Sequence, residues 1–344
     1  MDIFERILPF RDYFSLMLKA GKSRFWQLLG TMLLLFAISI VLMIICMIPI
    51  GIILAGTIPM DLLYDNYAMA NYFYSDEFMY QILTAIPAML ISMAIFILAA
   101  LLISSVQYSM VYLITDSYIN GEKRSFGQMF SYSIKRAFPV TGTSVLLTLM
   151  GIGIAAVFCA VFFGICSAMG VDVYSAMYYQ DLSVLDNGAF LGVMILMYLL
   201  LLAVCMFIGI IYSFSVTARV KYKLSAIETL RYSRRITKGK RVKLLGNYLL
   251  MGLIFVGIII VLSIIFAPAV QNNNTFVTLI LDIISAVIGI FVSVFWTVIF
   301  INFDKATGQA ILENEFPQTI YLKDQNFPDN DKTGGNNGDN LNNE

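Results

Sequence analysis

Few side chains in this chain could do chemistry, and they are unevenly placed. Its 344 residues include no histidine, which removes the commonest general base, the commonest metal ligand and every triad built on an imidazole. One acid, Asp282, falls between the expected ends of an apolar run. A charge at mid-bilayer costs ~2.5–3.5 kcal/mol on insertion scales. Asp282 sits about two turns inside the outer end of its run, where water and the positive end of the helix dipole relieve part of that cost. Ser285, Gly289, Ser293 and Thr297 follow at every fourth residue and make a small, polar face suited to helix contact. Two readings stand for Asp282, Ser285 and Ser293: a buried structural hydrogen bond, or an intramembrane polar site for an ion or a proton.

The second concentration of chemistry is basic. Between Arg219 and Lys243 lie ten cations and a single acid, so this loop must sit near anionic headgroups, each cation contributing ~1 kcal/mol of attraction. Arg231, Arg234, Arg235, Lys238 and Lys240 could contact lipid phosphates or a partner protein. The same charges also serve simply to orient the chain. Nucleic acid is not an expected partner, because aromatic stacking platforms are missing.

Other patterns are rejected on their chemistry. Cys46, Cys159, Cys166 and Cys205 all fall inside apolar runs without Cys-x-x-Cys spacing and read as small buried side chains. The acids Asp61, Asp65, Asp76 and Glu77 could offer oxygen ligands to a divalent cation, but their spacing fits no known loop, and no metal or cofactor is assigned. Gly151-Ile152-Gly153 lacks the preceding strand and third glycine of a dinucleotide loop, and Lys238-Gly239-Lys240 lacks the rest of a phosphate-binding loop. Ala226-Ile227-Glu228-Thr229 is a poor match to the coupling loop of an ATP-driven permease. No acid/base or nucleophilic constellation survives, so the expectation is a non-enzymatic protein.

The elements that would carry these residues follow from composition. A chain that is 59% hydrophobic and 13% charged, with a mean hydropathy of +0.81, does not describe a water-exposed surface. Uncharged runs occupy Phe25–Met60, Phe78–Thr115, Ala137–Val171, Asn187–Ala218, Leu244–Leu281 and Ile283–Phe303. Each can hold the ~20 apolar residues that cross a ~30 Å bilayer core, and lipid demands helices because backbone groups must be satisfied internally. The fold class expected is an all-α polytopic membrane protein with six transmembrane helices at about 28–48, 83–113, 140–168, 189–217, 244–267 and 276–302. Pro49-Ile50-Gly51 and Gly56-Thr57-Ile58-Pro59 should end or kink the first helix beyond about Ile48. Ala267-Pro268 before Gln271-Asn272-Asn273-Asn274 reads as a tight turn between the fifth and sixth.

Charge supports this threading. All 22 basic residues fall on one side of such a bundle, in the first 24 residues, the 116–136 loop, the 219–243 loop and the tail. The other side carries Asp61, Asp65, Asp76, Glu77, Asp172, Asp181 and Asp186. By the positive-inside rule both termini are cytoplasmic, in the cytoplasmic (inner) membrane. The first 24 residues mix five basic with three acidic side chains, too long and too mixed a stretch for a cleaved signal peptide. The expected organisation is a cytoplasmic interfacial helix at 1–26, a transmembrane domain at 27–303 and a cytoplasmic tail at 304–344. From about residue 324 that tail is acidic and should be disordered.

Amphipathic segments precede the first, third and fifth spans. Phe10, Tyr13, Phe14, Met17, Leu18, Gly21 and Phe25 follow helical spacing, as do Phe126, Met129, Phe130, Ser133, Ile134, Ala137 and Phe138. The third segment, from Ser225 to Arg235, opens with a Ser-x-x-Glu capping box, and Ser125-Phe126-Gly127-Gln128 offers the Ser-x-x-Gln equivalent. At an offset of 100 residues Tyr132-Ser133 aligns with Tyr232-Ser233. These matches suggest three helix pairs, each preceded by an interfacial helix. The segment Ser225–Ser233 continuing to Thr237-Lys238-Gly239-Lys240 resembles the A-x-x-A-L-x-x-S-x-x-L-x-x-G segment of a bacterial superfamily of six-span membrane proteins. That superfamily includes the membrane domain of some glycerophosphoryl diester phosphodiesterases, and Thr229 departs from its more usual alanine. The resemblance spans roughly residues 10–303 and implies a six-span body. The catalytic barrel of the enzyme members is absent, so no reaction carries over. The function expected is a scaffold or accessory protein organising membrane lipids or a partner at the cytoplasmic face. The alternative is a small-solute or ion transporter using Asp282 and the small-residue faces of the third and sixth spans, Ala156, Ala160, Gly164 and Ala168 among them.

Overall fold

The computed structural model describes residues 6–57, 72, 75–170, 188–271 and 275–315, and among them every regular element is helical. In chain order these are α1 (Phe10–Ser23), α2 (Phe25–Thr57), α3 (Asp76–Ile119), α4 (Phe126–Ala168) and α5 (Gly188–Tyr212). They are followed by α6 (Ser215–Lys221), α7 (Ala226–Ile236), α8 (Arg241–Gln271) and α9 (Thr275–Phe303). A five-residue π-helical turn, Asp304–Gly308, then leads into α10 (Gln309–Glu315). Among the described residues six helices are long and apolar enough to cross a membrane, in α2, α3, α4, α5–α6, α8 and α9–α10. The all-α polytopic class is therefore the observed one.

Several boundaries differ from expectation. α2 runs past Pro49 to Thr57 instead of stopping near Ile48, because in an apolar setting an abandoned helix would leave more backbone groups unsatisfied than the one bond proline removes. Residues 126–138 are helical as expected but continue into the third span as one 43-residue helix. The buried face Met129, Ser133, Ala137 and Val140 keeps its phase across Pro139, so packing carries the helix through. The fourth span stops at Tyr212 and restarts at Ser215. The chain after Phe303 does not become tail at once but stays helical to Glu315. The acids Asp61, Asp65, Asp172, Asp181 and Asp186, the turn at 272–274 and the tail from residue 324 lie outside the described residues.

The core occupies one end of the bundle. Buried side chains concentrate at 106–117 of α3, 129–143 of α4, 210–237 from α5 to α7, and 290–304 of α9. This is the end that carries the Lys and Arg residues. Along the opposite halves, apolar side chains such as Leu33, Phe36, Leu90, Ile91, Leu149, Val157, Leu196, Leu253 and Ile264 face outward. α9 is the central column: 39% of its most apolar window is buried, against at most 11% in the other five. The α2–α3 and α3–α4 pairs pack antiparallel, the latter joined across the interface by a 2.8 Å Ser105–Thr141 hydroxyl contact.

α1 follows the last turns of α9 in the opposite direction. The Phe10 and Tyr13 rings meet Phe295 edge-on at 5.6 and 6.4 Å. Three turns further along, a Cβ on Gly21 would come within 2.5 Å of the Phe291 ring. Only glycine permits that approach.

Candidate functional site at the basic end

α7 is the element on which the basic residues converge, and its start is locally coded. The Ser225 hydroxyl accepts from the Glu228 amide at 3.2 Å while the Glu228 carboxylate accepts from the Ser225 amide at 2.6 Å, completing the capping box. The backbone bond from Ser225 is the main reason the Glu228 carboxyl is held below the usual carboxylate range, with the Ser225 hydroxyl second. Ser125 and Gln128 make the corresponding box at the start of α4.

From there helical periodicity divides α7 into two faces. Thr229, Tyr232, Ser233 and Ile236 are buried, whereas Ile227, Arg231, Arg234, Arg235 and Lys238 are exposed. Four of the five basic residues expected at the site thus share one outward face. Lys240 does not join them. It is half-buried beyond the left-handed turn at Gly239 (φ 76°), with its ammonium 5.9 Å from the centre of the Phe303 ring. Burial, with Lys243 alongside, lowers its pKa from the ordinary lysine value.

The buried face of α7 is fastened by two polar devices. In the first, Ser233 donates to the Ile211 carbonyl at 2.8 Å and accepts from the Phe214 amide at 3.2 Å. One serine thereby satisfies both an orphan carbonyl and an orphan amide at the gap between α5 and α6, which explains why the fourth span breaks there. The second device is centred on Asp304, which is fully buried. Its carboxylate accepts a short hydrogen bond from the Tyr232 hydroxyl. The Tyr222 hydroxyl lies 2.8 Å from both carboxylate oxygens, and the Lys221 ammonium 2.5 Å from Oδ2. Burial, then the negative charge of Asp304, push the Tyr232 phenol well above its ordinary value. That phenol remains a donor throughout the physiological range.

The π-helical turn makes room for this arrangement. A Cβ on Gly308 would lie 2.1 Å from the Tyr232 hydroxyl and 2.7 Å from Asp304 Oδ1. Tyr232 therefore crosses directly over Gly308 to reach the carboxylate. Such one-residue expansions of a helix recur at functional positions.

Two residues earlier, Asn302 does for α1 what Asp304 does for α7. Its side-chain carbonyl accepts from the Tyr13 hydroxyl at 2.6 Å and the Leu8 amide at 3.1 Å, and its amide donates to the Arg6 carbonyl at 2.9 Å. On the α3 side, Asp116 accepts from Asn120 at 3.0 Å and lies 3.5 Å from Arg124, while Lys305 donates to the Asn120 carbonyl oxygen at 2.8 Å. The end of α9 is thus the shared anchor of α1, α3, α6 and α7.

The intramembrane candidates lie elsewhere. Asp282 and Ser285 are exposed on the surface of α9, far from this network in the chain. Ser293 and Thr297 donate to the carbonyls of Gly289 and Ser293 in their own helix, both at 2.9 Å. A Cβ on Gly289 or Gly164 would meet nothing within 4 Å, so neither small-residue ladder is used for close helix approach at its glycine. Of the four thiols, Cys166 is buried, Cys46 half-buried, and Cys159 and Cys205 exposed, so the expectation of buried cysteines holds for one.

Asp304, Gly308, Asn302, Tyr222 and Tyr232 carry this site without having been singled out by sequence. The available signal was a buried-phase tyrosine inside a cationic helix, paired with an acid just past an apolar run. No family model, curated protein or solved structure matches this chain.

Proposed function

We propose that the chain is a non-enzymatic scaffold or accessory protein of a bacterial cytoplasmic membrane, with its basic end on the cytoplasmic side, where the exposed face of α7 gathers anionic lipid headgroups. The observation that carries this reading is the alignment of Arg231, Arg234, Arg235 and Lys238 on one face of a helix whose other face is fixed to the last span through Asp304 and Ser233. Fixed cations lose less side-chain and segmental freedom on meeting a phosphate than cations on a loose loop. Exposed Ile227 on the same face adds apolar contact suited to an interface. The likeness to the six-span superfamily belongs to this proposal, since the segment that bears it is α7 and the turn after it. The transporter reading has less to rest on, because Asp282 sits on an outer surface of α9 and not among the packed helices.

Native mass spectrometry from nanodiscs of mixed phosphatidylglycerol and phosphatidylcholine tests the proposal. At ~1 kcal/mol per cation, Arg231→Gln, Arg234→Gln and Lys238→Gln together should lower phosphatidylglycerol retention about tenfold or more at low salt. Equal retention of the two lipids by the unaltered protein would overturn it.

A further inference from the structure

The basic face of α7 has a second anionic candidate within the same chain. Residues 316–344 carry Asp324, Asp329, Asp331, Asp339 and Glu344 against only Lys323 and Lys332. The structure also shows where this segment starts. Leu312 of α10 is buried in the core, α10 packs against α7, and Gly308 lies beneath the Tyr232 hydroxyl. Residue 316 therefore follows a helix that is itself held against α7.

Geometry makes the encounter easy. α7 has 11 residues and is ~16 Å long at ~1.5 Å per residue. A chain reaches at most ~3.6 Å per residue, so the nine residues from Glu315 to Asp324 reach up to ~32 Å, about twice that length. Asp329 and Asp331 reach further still. A ligand tethered this closely faces its site at an effective concentration in the millimolar range, which compensates for the weakness of individual exposed ion pairs.

We infer that residues 316–344 fold back onto the exposed face of α7, set their aspartates against Arg231, Arg234 and Lys238, and shield those cations from anionic headgroups. The shielding rests on the lipid reading above; the contact itself does not. The tail then acts as an internal competitor, so the lipid affinity of the basic face depends on whether the acidic segment is in place. Raised ionic strength weakens the contact, since the Debye length falls from ~10 Å at 0.1 M to ~3 Å at 1 M.

A benzophenone amino acid placed at the exposed position Ile227 of the full-length protein, in phosphatidylcholine nanodiscs, tests the contact. Illumination should cross-link α7 to peptides within 316–344. The yield should fall several-fold in 1 M salt and in the full-length variant carrying Asp324→Asn, Asp329→Asn, Asp331→Asn and Asp339→Asn. Absence of tail cross-links in the unaltered protein overturns the proposal, as would cross-links formed only between two chains of different isotopic mass. In mixed nanodiscs the neutralised-tail variant should retain about twofold more phosphatidylglycerol or better. It should gain nothing when Arg231→Gln, Arg234→Gln and Lys238→Gln are also present. Equal retention by the unaltered and neutralised proteins overturns the shielding. Cross-linking without preferential lipid retention by either protein upholds the contact and overturns the lipid reading instead.

Discussion

Replacing Asp304 by Asn should loosen α7 while leaving the α3–α4 pair intact. The carboxylate holds two tyrosine hydroxyls and one ammonium, and a hydrogen bond to a charged group contributes ~1.5–3 kcal/mol. Asparagine keeps one acceptor oxygen, so part of that survives. Removing one partner of a fully buried ion pair costs ~3–5 kcal/mol because the other charge is stranded. Here the Lys221 side chain is 30% exposed and can turn to water, which places the loss at ~2–4 kcal/mol. As a local opening equilibrium this corresponds to roughly thirty- to several-hundred-fold weaker amide protection in α7 at ~1.4 kcal/mol per tenfold. Hydrogen exchange in detergent micelles reads it, with the Ser105–Thr141 region of α3 and α4 as the internal reference. A double-mutant cycle with Tyr232→Phe isolates the hydroxyl–carboxylate term, expected at ~1.5–3 kcal/mol. Gly308→Ala approaches the same contact sterically, since its Cβ would fall 2.1 Å from the Tyr232 hydroxyl, and it should weaken α7 protection despite a helix-propensity gain of up to ~1 kcal/mol. Additive single changes, with coupling under ~0.5 kcal/mol, would refute the assignment of Asp304 as the anchor of α7.

Three further outcomes follow from the same geometry. Glu228 has a depressed folded-state pKa, so its support for the start of α7 is present above the ordinary glutamate value of ~4.3 and is lost as pH falls through the lower folded value; α7 protection, corrected for intrinsic exchange rates, should fall there in the unaltered protein and not in Glu228→Gln. Gly21→Ala drives a Cβ to 2.5 Å from the Phe291 ring and should destabilise by ~1–3 kcal/mol in thermal unfolding, whereas Gly30→Ala, with open space at its Cβ, should be neutral or slightly stabilising. Asn302→Ala removes the acceptor of Tyr13 and Leu8 and should expose the first 24 residues to protease ahead of any other described segment; equal resistance would disprove its role as the α1 anchor.

Short-range code was legible in this sequence. Both capping boxes were written within four residues, Ser125 to Gln128 and Ser225 to Glu228, and both formed. The six apolar runs located six long helices, because lipid leaves the backbone no competing partner. The two-faced character of α7 followed from period and charge alone. Asp304 escaped for a physical reason: an acid beyond an apolar run defaults to water, and the donors that make its burial tolerable are 72, 82 and 83 residues away in the chain. The break at residues 213–214 escaped likewise, since the serine that satisfies it lies 19 positions downstream. Lys240 was grouped with its neighbours by spacing, but the turn at Gly239 rotates it off the exposed face and onto Phe303.

The distribution of burial explains why those long-range polar contacts matter more here than in a water-soluble bundle. In lipid the apolar side chains of the outer halves gain little from meeting one another, because the surrounding medium is as apolar as they are. Leu90, Leu196 and Leu253 accordingly stay outward-facing. What specifies one arrangement of six helices must then come from tight packing and from hydrogen bonds, and both are found at the basic end. There, three consecutive residues of the central helix, Asn302, Phe303 and Asp304, receive Tyr13 from α1, the Phe214 ring at 5.3 Å, and Tyr222 with Tyr232 from the α6–α7 segment. Each amphipathic helix brings a buried tyrosine whose hydroxyl ends on a side chain of the last span. The orientation of the cations on α7 is therefore set by the same few residues that position α1. Any force that moves the end of α9 must act on both helices together.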